Sequence, residues 1–333
     1  MSTIADVAAR AGVSKATASR ALSGRGYVSE TTRRQVADAA RDLAYVAHSS
    51  ATSLATGRTQ TVGVVMPPVD RWFHAELLAG IQESLLALEY DLSLYGVPES
   101  SPARERLFER ILPRRRFDGI IAVGIMPSTV ELERLQRSGP LVCVGPHAEE
   151  SDAVGIDDSA AARIATEHLI ELGHTAIAFL GGSTDAATLS VGDARRLAGY
   201  GEALQAAGLG AHARVAGALP TMPGGYAGAA GLLGDRRNRP TAIVAVCDEA
   251  AIGAVIAARS LGIAVPTELS VVGIDDHEHA EMFSLTTIGQ SPREQGHEAV
   301  RLLTRRMAHP DAPLEPAAAA SALVMRSSTA APR

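Results

Sequence analysis

The sequence predicts an all-α helix-turn-helix unit at the N-terminus, followed by an α/β body of two doubly wound parallel-sheet lobes. Three observations carry this expectation. Apolar residues recur at helical spacing in short stretches between residues 4 and 44, and Gly12 separates the first two. From Thr61 onward, short β-branched runs alternate with amphipathic helical stretches. These βα units fall into two successive sets, each of which makes one sheet with its ligand edge at the strand C-termini.

In the N-terminal unit, Ile4, Val7, Ala8 and Ala11 define a first helix over residues 4–11. Gly12 supplies a backbone conformation that residues with a β-carbon resist. Ser14 is a good cap for a second helix from Lys15 to about Ser23, and Ser29 for a third whose stripe is Val36, Ala39, Ala40, Leu43 and Ala44. On the second helix Val13, Ala18 and Leu22 are expected to face the small core. Thr17, Ser19 and Arg20 are groups that donate to phosphates or base edges. Lys15 and Ala16 lie at the end that enters the major groove in this motif. An arginine can chelate guanine O6 and N7, and an alanine methyl can pack on thymine. On pattern alone, three solvated surface helices remain the plain alternative.

The chain has 333 residues, 46% hydrophobic and 20% charged, room for two or three compact units with full cores. Its formal charge of −6 argues against nucleic acid, but the distribution reverses that argument. Residues 1–60 carry Lys15 and seven arginines against four carboxylates, a net +4 that leaves −10 for the rest. Lys15 is the only lysine, which excludes a Gly-Lys-Ser/Thr phosphate loop and lysine Schiff-base chemistry in the body. Cys143 and Cys247 are far apart and read as buried thiols in a reducing compartment. With no basic-then-apolar leader and no run of membrane-spanning length, a cytoplasmic protein is expected, nucleoid-associated when it is on DNA.

Strands are predicted at 62–66, 92–95, 119–123 and 141–144, with helices near 75–89, 102–113 and 128–138. The second set has strands at 176–180, 213–217 (weaker), 242–246 and 270–274, and helices near 159–172, 194–207, 224–234 and 249–262. A single large dinucleotide-binding enzyme is the alternative, but Gly224, Gly228 and Gly231 have the wrong spacing for its phosphate loop. No nucleophile–base pair or metal cluster appears. His277-Glu278-His279 is too short for a metal site and reads as a solvated turn.

The run Thr3-Ile4-Ala5-Asp6-Val7-Ala8, the stretch Gly12-Val13-Ser14-Lys15-Ala16-Thr17-Ala18-Ser19-Arg20-Ala21-Leu22 and Tyr27-Val28-Ser29 closely resemble the headpiece of LacI/GalR-type transcriptional regulators. Glu167-His168-Leu169, Arg196-Leu197-Ala198-Gly199-Tyr200, Val271 to Asp276 and the ending Leu323 to Thr329 extend the resemblance over nearly the whole chain. It implies a periplasmic-binding-protein-like core whose two lobes are joined by three crossing segments. The expected domains are a headpiece at 1–46, a hinge at 47–60 and an effector-binding and dimerisation core at 61–333. Within that core the N-lobe is about 61–158 and 289–319, and the C-lobe about 159–288 and 320–333.

The resemblance assigns DNA contacts to Thr3, Ile4, Ser14, Lys15, Ala16, Ser19, Arg20, Tyr27, Thr32, Tyr45, Ala51 and Leu54. Leu54 matches the hinge leucine that is wedged into the minor groove, at an unstacking cost offset by the contacts of a bent duplex. Read without the resemblance, residues 46–60 are simply a polar interdomain linker, and Ala47-His48 departs from the Pro-Asn common in the family.

Effector contacts are expected from Asp70, Trp72, Phe73, Ile156, Arg196, Cys247, Asp275 and Gln290. Carboxylates, one arginine and a stacking aromatic suit sugar hydroxyls and the apolar faces of sugar rings. Asp157 and Asp248 are equally good helix caps, and Trp72 equally good core. The family implies an Arg at 196 and an Asp at 275 for ligand, whereas Gly145, Pro220 and Cys247 depart from its pattern, so the pocket is reshaped. The expected protein is a homodimeric repressor of carbohydrate-utilisation genes, released from a palindromic operator by a small sugar, with no metal or cofactor. Two other readings stay open: a corepressor-dependent regulator answering a non-sugar metabolite, and a sugar-modifying enzyme with a DNA-binding head.

Overall fold

A computed structural model describes residues 2–23, 26–45, 58–98, 101–114, 117–145, 151–182 and 190–333. The N-terminal unit consists of α1 (Ile4–Arg10), α2 (Lys15–Ser23) and α3 (Glu30–Asp42). Their starts are set by local hydrogen bonds. Thr3 and Asp6 form a capping box, Ser14 Oγ accepts from the Thr17 amide at 3.1 Å, and Ser29 Oγ accepts from the Thr32 amide at 3.2 Å. Gly12 sits at φ +65° in the turn between α1 and α2. The core of this unit is Val7, Ala8, Ala18, Ala21, Val36, Ala39 and Ala40.

Two expected core residues lie elsewhere. Leu22 is 37% exposed because the buried face of α2 runs through Ala18 and Ala21, three apart. Ala44 is exposed at φ +45°, two residues past the end of α3, so its side chain leaves the helical stripe.

The N-lobe contains β1 (Thr61–Met66), α4 (Trp72–Ala87), β2 (Asp91–Gly96), α5 (Pro102–Arg106), β3 (Gly119–Val123), α6 (Thr129–Ser138), β4 (Leu141–Val144) and β5 (Asp152–Gly155). The C-lobe follows with α7 (Asp158–Glu171), β6 (Ile177–Leu180), α8 (Val191–Ala206), β7 (Arg214–Ala216), α9 (Met222–Gly234), β8 (Ala242–Ala245), α10 (Asp248–Ser260), β9 (Ser270–Asp275) and β10 (Thr286–Gly289). The chain then returns through α11 (Pro292–Ala308) and β11 (Pro316–Ala318) to the N-lobe, and ends in β12 (Ala322–Val324).

The two sheets have the orders β11-β5-β4-β3-β1-β2 and β12-β10-β9-β8-β6-β7. Among the described residues, the named strands all pair in parallel except β10 with β12. The chain therefore passes between lobes at three places, residues 156–157, 290–291 and 319–321. Each sheet is covered on both faces, as parallel sheets require. The N-lobe core is built on Val62, Val64, Ile121 and Val142, and the C-lobe core on Ile177, Phe179, Val244 and Val272.

Three elements depart from the sequence expectation. The helix expected over 102–113 stops at Arg106 and continues as a π-turn (Leu107–Ile111) and a 3₁₀ turn (Leu112–Arg114), because Pro113 has no amide to give the α-helical ladder. Strand β5 opens on Asp152, a fully buried carboxylate that accepts from Arg306 Nε at 2.6 Å and from the Glu315 amide at 2.8 Å. Although burial opposes it, Arg306 holds this carboxyl below the usual range. Helix α11 buries Ala299, Val300, Leu302 and Leu303 against the N-lobe sheet and crosses α4 closely. There Gly80 and the Arg293 carbonyl approach so near that a β-carbon at 80 would collide with it.

Candidate functional site

Two regions bring together the residues expected to act. The first is the outer face of α2. Lys15, Ala16 and Arg20 are exposed, and among the described residues neither Lys15 nor Arg20 forms an ion pair. Ser19 is half-buried beside them, and the Arg20 stem lies 3.4 Å from where a β-carbon on Gly26 would stand. Tyr27 is 96% exposed, an aromatic ring held in water by the loop before α3.

The remaining headpiece residues have structural duties as well. Thr3 and Ser14 cap helices, and the Thr32 hydroxyl lies 2.8 Å from that of Ser29. Ile4 and Tyr45 are half-buried and pack on the headpiece core. Ala51 and Leu54, with most of the hinge, lie outside the described residues.

The second region is a cavity of about 370 Å³ between the C-terminal ends of strands from both sheets, where open α/β sheets bind ligands. Asp70, Phe73, Ile156, Arg196, Asp275 and Gln290 line it, brought there from the loop after β1, the start of α4, a crossing segment, α8, and the ends of β9 and β10. Arg71, His74, Asp158, Ser190, Asp193, Pro220 and Gln295 line it too.

A continuous polar chain runs through the cavity wall from one lobe to the other. Arg196 donates from Nε to Asp158 Oδ1 at 2.8 Å and from Nη1 to the Val246 carbonyl at 2.5 Å, and its Nη2 lies 3.7 Å from Asp275 Oδ1. Gln290 Nε2 donates to Asp275 Oδ1 at 2.7 Å, and Gln295 Nε2 donates to Gln290 Oε1 at 2.8 Å.

Burial works against the Arg196 charge, but Asp158 and Asp275 more than restore it and raise its pKa. Burial likewise pushes the Asp275 carboxyl up, opposed by Arg196 and Arg71. Asp275 holds φ +129° and Asp276 φ +58°, so the turn that presents this carboxyl is backbone-strained. Burial lowers the His74 imidazole below its ordinary range. Carboxylates, side-chain amides and guanidinium groups set among apolar residues are suited to hydroxyl donors and acceptors.

Two expected effector residues are not in the cavity. Trp72 turns away from it and stacks on His277 of the other lobe, ring centroids 4.8 Å apart, while its amide donates to Glu249 at 3.2 Å. As adjacent residues at the start of α4, Trp72 and Phe73 point in different directions, and Phe73 is the one that faces the cavity. Cys247 follows β8 with an extended backbone and sends its side chain into the C-lobe core, where burial pushes the thiol up to about 12.

The sole tryptophan therefore reports contact between the lobes. His277→Ala is expected to open Trp72 to water and move its emission to longer wavelength. An unchanged spectrum would contradict the stacking.

Asp157 is an exposed cap of α7 that accepts from the Ala160 amide at 3.0 Å, and Asp276 pairs with Arg326 at 2.7 Å. Asp248 is fully buried, accepting from the His277 amide at 2.8 Å and from Thr287 Oγ1 at 2.6 Å. Burial, then the nearby Asp275, pushes its carboxyl up to about 7 from an ordinary 3.8. The folded state thus keeps a proton that the unfolded chain has released over this interval. The stabilisation is complete below the unfolded value and is lost as pH rises through the folded one. Relative to wild type, Asp248→Asn should gain stability between pH 4 and pH 7, by ~2 kcal/mol or more, and stay level above that. Urea midpoints that differ equally at both pH values would contradict this assignment.

Among the described residues no helix is long and apolar enough to cross a membrane, and no group of three or more His, Cys, Asp or Glu is placed to hold a metal.

A profile of the lacI family of bacterial regulatory proteins matches residues 3–48, and one of periplasmic binding protein-like domains matches residues 166–329. Catabolite control protein A of Priestia megaterium is 32% identical over 311 residues, 92% of each chain. The lac repressor dimer bound to operator and the anti-inducer ONPF is 26% identical, with a TM-score of 0.85 and 99% of each chain covered. A LacI family transcriptional regulator from Enterococcus faecium with bound ribose is 27% identical at a TM-score of 0.72, over 81% of this chain and 99% of the other. Similarity of this degree, sustained from the α2 face through both lobes, places the chain in the lacI family of bacterial regulatory proteins, DNA-binding transcriptional repressors controlled by small molecules.

Proposed function

We propose that the protein is a homodimeric repressor whose two headpieces read the halves of a palindromic operator, and that a small sugar in the interlobe cavity releases it. Lys15, Ala16 and Arg20 carry the base contacts in this reading. Thr3, Ser14, Ser19, Tyr27, Thr32 and Tyr45 position the headpiece on phosphates, and Leu54 enters the minor groove. The dimer follows from the match between a two-fold operator and two-fold protein symmetry.

The observation that carries the proposal is the polar chain Arg196–Asp275–Gln290–Gln295. Its first two members belong to the C-lobe and its last to α11 on the N-lobe, so a ligand that replaces any of its hydrogen bonds acts on both lobes at once. A change in the lobe angle then moves the N-lobes of the dimer, and with them the attached hinges and headpieces. Work in the cytoplasm on chromosomal DNA follows from this role.

The test is retention of sheared genomic DNA by the full-length protein, with and without a pool of mono- and disaccharides. A palindromic site enriched without sugars and lost with them is the expected result. A site strengthened by small molecules would overturn release in favour of corepression, and the absence of any enriched site would overturn the operator reading.

A further inference from the structure

We propose that Asp158 sets the effector class: by engaging the Arg196 guanidinium, it makes the cavity select uncharged, hydroxyl-rich molecules and reject carboxylates and phosphates. This rests on the interlobe cavity being the effector site.

Among the described residues two guanidinium groups line the cavity, and Arg196 is the more fully engaged of them. Arg71 Nε lies 3.5 Å from Glu249 Oε2. Arg196 is engaged at all three nitrogens, two through hydrogen bonds and the third through an ion-pair contact of 3.7 Å. Nε donates to Asp158, Nη1 donates to the Val246 carbonyl, and Nη2 faces Asp275. A ligand carboxylate or phosphate gripped by arginine wants two parallel N–H donors on one edge of the fork. The Nε–Nη2 edge that could offer them is shared between Asp158 and Asp275, whose side chains are 9% and 6% exposed.

The remaining charges point the same way. Among the described residues, Asp70, Asp158, Asp193 and Asp275 line the cavity with Arg71 and Arg196, a formal balance of −2. His74 adds no compensating cation near neutral pH, since burial lowers its pKa. An anion entering this space meets like charges at reduced dielectric, whereas a neutral polyol offers hydroxyl hydrogens to the carboxylates and amides.

The sequence origin is the pair Asp157-Asp158. The first residue caps α7 from outside, which leaves the second, at the first helical position, to turn inward towards Arg196.

The test uses the full-length protein and matched ligand pairs: D-ribose with ribose 5-phosphate, and D-glucose with D-gluconate and glucose 6-phosphate. Calorimetric titration and thermal shift are recorded for wild type, Asp158→Asn and Asp158→Ser, each also combined with Arg196→Gln. Wild type is expected to bind no anionic member more tightly than its neutral counterpart. Each Asp158 variant is expected to gain about tenfold or more in affinity for at least one anion, and the gain should disappear in the Arg196→Gln background.

Wild type preferring an anion would overturn the proposal, as would Asp158 variants without the gain or a gain that survives loss of Arg196. The wild-type comparison decides on its own if one variant does not fold. Operator affinity measured in the same samples separates the two readings. An anion that binds the Asp158 variant through Arg196 yet leaves operator affinity unchanged would sink the cavity as effector site while the selectivity rule stood.

Discussion

Arg196→Ala is expected to destabilise the folded protein by roughly 3–5 kcal/mol at pH 8 and to abolish any response of operator binding to effector. The arginine is 12% exposed and is the only cation that the buried Asp158 and Asp275 carboxylates both contact among the described residues. Its removal leaves two carboxylates facing a cavity that already carries Asp70 and Asp193. The size of the loss reflects stranded charge more than the worth of the pair, because breaking a buried ion pair from one side leaves the other side desolvated.

The pH dependence follows. Burial already raises the Asp275 pKa, and without Arg196 it rises further, so the variant takes up a proton on folding. The deficit should therefore be largest above neutrality and shrink towards pH 5. Arg196→Lys keeps the charge but not the fork, and should fall between the two. Urea unfolding of the three proteins at pH 5 and pH 8 checks both statements; an Arg196→Ala midpoint equal to wild type at pH 8 would contradict them.

Arg20→Ala is the second large expected effect, about 1–3 kcal/mol of operator affinity per half-site, hence roughly twice that for the proposed dimer on a full palindrome. Arg20 is exposed in the middle of α2, has no ion-pair partner among the described residues, and shares its face with Lys15 and Ala16. Nothing in the headpiece core depends on it, so its loss should leave the thermal transition in place. The discriminating readout is specificity. If Arg20 reads a base, the variant should tolerate substitution at one operator position in each half-site. A uniform weakening on all sequences, with a shallower dependence on salt, would make it a phosphate contact instead.

The features that could be read in the sequence are those determined by neighbours in the chain. Thr3, Ser14 and Ser29 cap helices through bonds three residues long, and the β-branched runs from Val62, Gly119, Ala242 and Ser270 are buried on both faces. The features that escaped depend on distant partners. Asp152 hides the start of β5 because its carboxylate is satisfied by Arg306, 154 residues later. The charged surface of α11 masks a narrow apolar stripe, and with that helix went Gln295, the last link of the polar chain in the cavity.

Direction was harder still. Trp72 and Phe73 are neighbours with similar chemistry, and only the register of α4 decides which one faces the cavity. Cys247 lies two residues past the end of β8, where a single step in the backbone turns a side chain from cleft to core. The Asp158–Arg196 bond joins positions 38 residues apart, and no local pattern announces it.

A repressor of this kind requires energetic coupling between cavity and headpiece, and reciprocity of the two affinities exposes that coupling. With an effector identified by operator release, operator affinity is measured at zero and at saturating effector, and effector affinity with and without saturating operator. Linkage requires the two ratios to be equal, and a typical coupling of about 1–3 kcal/mol makes each of them 5–150-fold. Equal ratios well above one are the predicted result. An effector that binds the cavity tightly with both ratios at one would show that cavity and headpiece are uncoupled and overturn the proposed release.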